Sequence, residues 1–183
     1  KNFSEGDYNV TDRDLDVAIQ GQGFFQVLMP DGNMGYTRDG QFQLNAEGSL
    51  VTSSGFLVEP QINIPQEAAS VTIGDDGTVS IMRQGSADNE NVGQLTLAGF
   101  INPEGLSSIG QNLFVETAAS GAPIIDVPGT SALGNVRQNM VETSNVNAVE
   151  ELVNLITAQR GYEMNSKVVS AADGMMSFVI QQL

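Results

Sequence analysis

Residues 142–183, the last part of the chain, constrain the fold most, because they have the pattern of one long helix. From Val146 onward this stretch contains no Pro, and apolar or small residues recur at alternating steps of three and four. This spacing is typical of a coiled-coil seam. We call these positions the helix seam: Leu155, Ala158, Tyr162, Asn165, Val169, Ala172, Met176, Val179 and Leu183. The pattern predicts a helix that packs against other helices.

The predicted helix has a recognisable start. Ser144, Asn145 and Asn147 are all suitable N-caps, and acidic side chains favoured by the helix dipole follow in the first turns. A second apolar group widens the stripe at this end: Val149, Leu152, Val153 and Ile156. The start motif Ser144-Asn145-Val146-Asn147 therefore marks where the helix begins.

The length of this helix decides between two interpretations. A helix of about 37 residues would be roughly 55 Å long, which exceeds the diameter of a small domain. Its partners would then come from other chains or from a segment outside this sequence. The alternative is one long core helix that caps a globular domain. Small or polar seam residues at Ala158, Asn165 and Ala172 suit close packing among several helices, and Asn165 is the best candidate for fixing their register.

Two charged residues near the seam have two possible roles. Arg160 and Glu163 lie three residues apart and could form an ion pair within the helix. Alternatively, each reaches a neighbouring helix and fixes the register, as flanking charges do in coiled coils. The sequence leaves both roles open.

Composition excludes several classes of function. The net charge is −15, so the chain has no supply of cations for nucleic acid or for an anionic membrane surface. The absence of His and Cys removes thiol nucleophiles, His-based triads and most transition-metal sites. No apolar run approaches the length of a membrane span. We expect no cofactor, no metal and no membrane insertion.

The chain before the helix has short apolar runs separated by turn residues, which is typical of antiparallel β structure. Residues 1–13 form a polar, extended lead-in, residues 14–117 the β domain, and residues 118–141 an irregular and then extended return to the helix at 142–183. Within the β domain, Val92–Ile101 is predicted as the longest strand and Leu106–Ile109 as a single helical turn. The predicted fold class is mainly β, with short strands and hairpins followed by one long C-terminal helix.

The acidic residues give little sign of catalysis. Asp31, Asp39, Asp75 and Asp76 lie in or beside Gly-containing turns, where Asp satisfies turn backbone with its own side chain. The Asp-rich turns lack the ligand spacing of a calcium loop, and Gly21-Gln22-Gly23 precedes a strand instead of opening a helix. A carbohydrate-active enzyme remains an alternative, because two carboxylates could still converge in a cleft.

Three separated motifs resemble the bacterial flagellar rod and hook proteins. The first is Asp16-Val17-Ala18-Ile19 with Gly21, Gly23, Phe24 and Phe25; the second is Tyr36-Thr37-Arg38-Asp39-Gly40, followed by Phe42, Asn45 and Gly48. The third joins the helix start motif to Ala158-Gln159-Arg160-Gly161-Tyr162-Glu163 and Asn165. The resemblance covers nearly the whole chain and is greatest to the distal-rod branch of the family; the proximal rod and the hook are alternatives.

The resemblance implies a structural, non-catalytic protein whose copies stack helically into a hollow rod that spans the periplasm and carries torque to the hook. The implied partners are further copies of the chain, adjacent rod and hook proteins, and the surrounding L- and P-ring proteins. The implied route to the basal body is the flagellar type III export apparatus. Two departures stand out: the family's N-terminal helix, the expected partner of the helix seam, is not in this sequence, and Gly161 stands where Ala is usual.

Overall fold

The computed structural model describes residues 3–83, 85 and 88–181, with the backbone alone at 148 and 176–181. Residues up to Thr143 form one compact unit, which we call the β unit, and residues from Ser144 form a second, helical unit. The strands are β1 Tyr8–Val10, β2 Val17–Gln20, β3 Phe24–Leu28, β4 Met34–Thr37, β5 Phe42–Leu44, β6 Leu50–Thr52, β7 Leu57–Glu59, β8 Ala68–Ile73, β9 Thr78–Arg83, β10 Asn89–Gln94, β11 Leu97–Gly99, β12 Ser107–Gly110, β13 Leu113–Val115, β14 Ile124–Asp126, β15 Asn135–Gln138 and β16 Met140–Glu142. The helix is α1 Ala148–Gln181.

The largest sheet is antiparallel and has nine strands. Seven follow the order β12-β13-β4-β3-β7-β6-β5, and β11 joins β3 to β14. A tight turn joins one neighbouring pair: in the β3–β4 hairpin, Leu28 lies opposite Met34, and the Asp31 carboxylate accepts from the Asn33 backbone N–H at 3.2 Å. The Pro-Asp-Gly signal in the sequence therefore produces this hairpin, whereas Asp39-Gly40 only bends the chain between β4 and β5, which do not pair.

Three smaller antiparallel sheets complete the β unit. One has the order β10-β9-β8, and the other two pair β15 with β2 and β1 with β16. The last two join residues from opposite ends of the unit: Tyr8 lies opposite Glu142, and Gln20 opposite Asn135. The strands that leave the unit are thus held by the strands that enter it.

Two hydrophobic clusters fill the β unit. The larger is built on the β-branched and leucine side chains of most strands and includes Phe25 and Phe42, whose rings lie edge to face at 5.0 Å. The smaller contains Phe24, Tyr36, Ala98, Phe100 and Leu106. Phe24 and Phe25 are neighbours in one strand and point to opposite faces, so each supplies a different cluster. The mainly β fold with a single C-terminal helix is confirmed.

Two predictions of local structure were wrong. Val92–Ile101 is not one strand: β10 ends at Gln94, and β11 begins at Leu97 in another sheet. The buried Leu95 donates its N–H to the Gly77 carbonyl at 2.8 Å and so turns the chain between the sheets. The predicted helical turn at Leu106–Ile109 is instead strand β12 from Ser107 onward, preceded by a 3-10 turn at Pro103–Gly105.

The irregular return segment predicted at 118–141 contains the short strands β14 and β15 and the start of β16, and the lead-in contains β1. Helix α1 begins at Ala148, later than the predicted Glu142, because Glu142 is the last residue of β16. Among the described residues, no helix is both long and apolar enough to span a membrane.

Candidate assembly surfaces

The start of helix α1 is capped as the sequence predicts. Of the three candidate N-caps, Asn147 caps the helix: its Oδ1 accepts the backbone N–H groups of Val149 at 3.1 Å and Glu150 at 3.4 Å. Ser144 Oγ accepts the Val146 N–H at 3.2 Å and orders the turn before the cap. The motif Ser144-Asn145-Val146-Asn147 therefore sets the point at which the helix begins.

The helix seam is exposed wherever its side chains are described. Leu155 is 54% exposed, Tyr162 79% and Val169 61%. Ala158, Asn165 and Ala172 are exposed as well. Met176 and Val179 lie in the helix, but their side chains are outside the described residues, as is all of Leu183. A seam with this much uncovered apolar surface is expected to acquire a partner, because packing of the apolar face supplies most of a helix's stability.

The helix exposes apolar side chains on more than one side. The second group at its start is 41–71% exposed: Val149, Leu152, Val153 and Ile156. Met164, Val168 and Met175 are 66%, 67% and 69% exposed. At about 100° per residue, these positions lie away from the seam and continue from the second group. A single partner helix would leave part of this surface open.

The charged pair near the seam is not joined within the helix. Arg160 and Glu163 form no ion pair among the described residues. Both side chains are exposed and available to a neighbour. Their role in fixing register stays a prediction.

In the β unit, one arginine connects the two resembled motifs. Arg38 donates from Nη1 to the carbonyl oxygens of Gly21 at 3.1 Å and Gly23 at 3.2 Å, and from Nη2 to that of Ile19 at 3.4 Å. Its Nε donates to Glu142 Oε2 at 2.8 Å, and the other carboxylate oxygen of Glu142 accepts the Gly6 N–H at 3.0 Å. The motifs therefore fix the strand that leads out of the β unit.

The remaining motif residues are structural. A Cβ on Gly40 would lie 1.7 Å from the Val17 carbonyl oxygen, and Gly21 has φ +116° with Gly134 Cα at 2.7 Å from its would-be Cβ. Neither position has room for a side chain. Thr37 Oγ1 donates to the Asn112 carbonyl at 2.9 Å and accepts the Asp39 N–H at 3.1 Å.

The sequence pattern does not indicate the roles of two important residues. Glu142 was assigned to the helix, yet it is the ion-pair partner of Arg38. Gln138 Nε2 donates to the carbonyls of Asp14 at 2.7 Å and Val71 at 2.8 Å, and its Oε1 accepts the Ile73 N–H at 3.2 Å. Neither lies in a local pattern that indicates a distant partner, so only the fold identifies them.

Asp31, Asp76 and Asp126 have the wrong electrostatics for a general acid. Hydrogen bonds from Asn33 lower the pKa of Asp31, those from Thr78 lower the pKa of Asp76, and those from Ser131 and Val127 lower the pKa of Asp126. A glycosidase acid needs a raised pKa. No group of three or more acidic side chains that could hold a metal occurs among the described residues.

A β unit of short strands followed by a long, exposed helix, without a group of acidic side chains that could hold a metal among the described residues, is the architecture of a structural protein. The comparison with known families agrees. The family model described as the flagellar hook protein FlgE/F/G D1 domain matches residues 18–81, and that described as the flagellar basal body rod FlgEFG protein C-terminal region matches residues 137–182.

Comparison with individual proteins identifies the family more specifically. The flagellar basal-body rod protein FlgG of Buchnera aphidicola subsp. Schizaphis graminum is 51% identical over 181 residues, which cover 99% of this chain and 70% of that protein. FlgG of Caulobacter vibrioides is 49% identical over 177 residues, covering 97% and 68%. FlgF of Caulobacter vibrioides is 36% identical over 191 residues, covering 100% and 71%. The chain therefore belongs to the flagellar basal-body rod protein family.

Within this family the higher identity is to the FlgG proteins. The prediction of a structural subunit of the flagellar rod, of the distal type, is confirmed, and the alternative of a proximal rod or hook subunit is not favoured.

Proposed function

We propose that copies of this chain self-assemble helically into the hollow distal rod that transmits torque from the flagellar motor to the hook. The single observation that carries the proposal is the uncovered apolar surface of α1, on which Leu155, Tyr162 and Val169 are all more than half exposed. Exposed apolar surface of this extent indicates a surface that another molecule covers.

In this proposal the helix seam packs against helices of the assembly. Small side chains at Ala158 and Ala172 allow several helices to approach closely, and Asn165 penalises wrong registers because a misplaced amide would be buried without a partner. Arg160 and Glu163 meet opposite charges on neighbouring helices. Pairing of the entry and exit strands, together with the Arg38–Glu142 ion pair, supports a load-bearing role for the β unit.

The chain acts without catalysis. Its partners are further copies of itself, adjacent rod and hook proteins, and the L- and P-ring proteins that surround the rod. It reaches the basal body through the flagellar type III apparatus and spans the periplasm there. The absence of Cys from the sequence suits both the passage and the destination, because no disulfide has to form or be avoided.

The test replaces seam residues in the full-length rod protein. Leu155→Asp and Val169→Asp each place a carboxylate in the seam, where burying it unpaired costs several kcal/mol. We expect the melting temperature of the β unit to stay unchanged, while polymerisation of the purified protein and motility of a complemented strain are lost.

The matched control is Ser166→Asp, which adds the same charge to an exposed helix position beside the seam. It should support polymerisation far better than Val169→Asp. The proposal is wrong if the seam variants polymerise normally, or if they unfold the β unit, since the helix would then belong to the core of that unit.

A further inference from the structure

The β unit has an open groove of about 1070 Å³, separate from the helix seam. Its floor comes from β3 and β4, where Gln26 and Tyr36 lie directly opposite each other on one face of the sheet. Met29, Met34 and Ile125 line it with apolar surface. The volume is at the upper end of the range for binding pockets and suits a short peptide segment better than a single small molecule.

The groove lies on a face of the nine-stranded sheet. Aromatic side chains already cover the neighbouring part of that face. There Tyr36 packs edge to face on Phe100 at 4.8 Å, and Phe24 lies 6.1 Å from Phe114. The groove side has no such cover: Ile125 is 54% exposed and Ile109 53%. Few other large apolar side chains of the β unit are more than half exposed, so this face is one of its main candidates for a contact surface.

The groove is negatively charged. Its charged lining residues are Asp31 and Glu116, both exposed, and none of the described Lys or Arg residues lines it. Neither carboxylate forms an ion pair with another described residue. Burial is the main cause that raises the pKa of Tyr36, and the negative charge of Glu116 is the second cause. The Glu116 charge therefore acts on the floor of the groove.

A second β unit of the same chain is a poor match for these charges. Each described arginine of the β unit already has an acidic partner: Arg13 with Asp16, Arg38 with Glu142, Arg83 with Glu90 and Arg137 with Asp75. The chain as a whole carries a net charge of −15. Charge complementarity therefore favours a cationic occupant over a second β unit of this chain.

We propose that this groove docks a short segment of a different protein, in which one or two apolar side chains are flanked by Lys or Arg. The apolar side chains would cover Met34, Ile109 and Ile125, and the cations would meet Asp31 and Glu116 at the rim. The partner thus combines the two chemistries that the groove presents, and it is independent of how the helix seam is covered.

The experiment titrates the ¹⁵N-labelled chain with the synthetic hexapeptide Ac-Lys-Val-Lys-Ile-Lys-Val-NH2. We expect saturable amide shift changes centred on Tyr36, Val115 and Ile125. A double variant, Asp31→Asn with Glu116→Gln, should bind the hexapeptide roughly fivefold more weakly, since each exposed ion pair contributes little on its own.

The matched control is Glu47→Gln with Glu67→Gln, which removes two exposed carboxylates that do not line the groove. Its affinity should be unchanged. A second peptide, in which Ser replaces Val and Ile, should bind more weakly than the first. The amide spectrum of each variant verifies that it is folded.

Four outcomes would overturn the proposal. Shift changes spread over the acidic surface, or equal affinity of the groove and control variants, would mean binding by net charge alone. Equal binding of the Ser peptide would remove the apolar component. If unlabelled chain shifts the same amides, the occupant is a second copy. None of these outcomes affects the seam variants, which test the assembly function separately.

Discussion

Arg38 and Glu142 form an ion pair with Nε 2.8 Å from Oε2, although they are far apart in the sequence. Their side chains are only 16% and 11% exposed. Because the same guanidinium binds the carbonyls of Gly21 and Gly23, the pair closes the β unit at the strand that leads to the helix. The energetic value of the pair should therefore exceed that of a surface ion pair.

The first prediction compares this largely buried ion pair with an exposed ion pair of similar nitrogen–oxygen distance. Arg38→Met leaves Glu142 partly buried without its cation and should lower the free energy of unfolding by about 3 kcal/mol. Arg83 and Glu90 lie 2.9 Å apart but are 48% and 51% exposed. Arg83→Met should cost about 1 kcal/mol or less. Urea unfolding of both variants measures the difference, and equal losses would contradict the role given to Arg38.

The second prediction separates a steric effect from a backbone effect at two glycines. Gly40→Ala places its Cβ against the Val17 carbonyl oxygen, which is backbone and must move; we expect a loss of about 3 kcal/mol or more. Gly55 has φ +87° and open space around its would-be Cβ. Gly55→Ala should therefore cost only about 1 kcal/mol, from conformation alone. Thermal melts of the two variants test this order, and a reversed order would show that packing around Gly40 relaxes.

Local signals predicted much of the β unit. Asp-Gly turns locate the β3–β4 hairpin and the bend at Asp39-Gly40, because Asp and Gly favour these backbone conformations regardless of the rest of the chain. The division of Val92–Ile101 between two sheets was not predictable, since Leu95 turns only because it meets Gly77. Pairings between the chain's two ends, such as Tyr8 with Glu142, leave no local pattern either.

The sequence likewise located some residues of the candidate surfaces and not others. Periodicity located the helix seam and capping chemistry located Asn147, because both depend on residues within a few positions of each other. Burial and pairing of Arg38 depend on a residue from the other end of the unit. The groove near Tyr36 depends on residues from five strands, so no sequence pattern indicates it.

The third prediction concerns pH. Burial, together with a hydrogen bond to Glu5 and the charge of Glu5, raises the pKa of Tyr8 from 10.0 to about 12. The Tyr8 hydroxyl lies 3.1 Å from both Glu5 Oε2 and the Ile19 carbonyl and can donate to either. Between these two pKa values the folded state keeps a proton that the unfolded state has lost, so stability is present below pH 10 and falls as the pH rises towards 12.

Tyr8→Phe removes this proton and should flatten the fall in stability across that window. Unfolding followed at several pH values between 9 and 12 tests the assignment, and the difference in tyrosinate absorbance between the folded wild type and Tyr8→Phe isolates Tyr8 from Tyr36 and Tyr162. An unchanged slope in the Phe variant would mean that other groups cause the alkaline loss.

The last prediction concerns where the β unit ends. Strand β16 pairs with β1, and Thr143 donates from N and Oγ1 to the Asp7 carbonyl at 2.8 and 2.9 Å. A fragment that ends at Thr143 keeps all these bonds and the Arg38–Glu142 pair. It should therefore unfold cooperatively, with the same midpoint as the β unit in the whole chain.

A fragment that ends at Asn139 loses β16, leaves Arg38 without its carboxylate and frees the Gly6 N–H that Glu142 accepts. Leaving a partly buried charge unpaired costs several kcal/mol, so this fragment should be less stable than the longer one by at least about 3 kcal/mol. Calorimetry of the two fragments beside the whole chain measures both effects. A non-cooperative transition in the longer fragment would mean that the helix supplies part of the β unit's core, and the physical case for a separate assembly helix would fail.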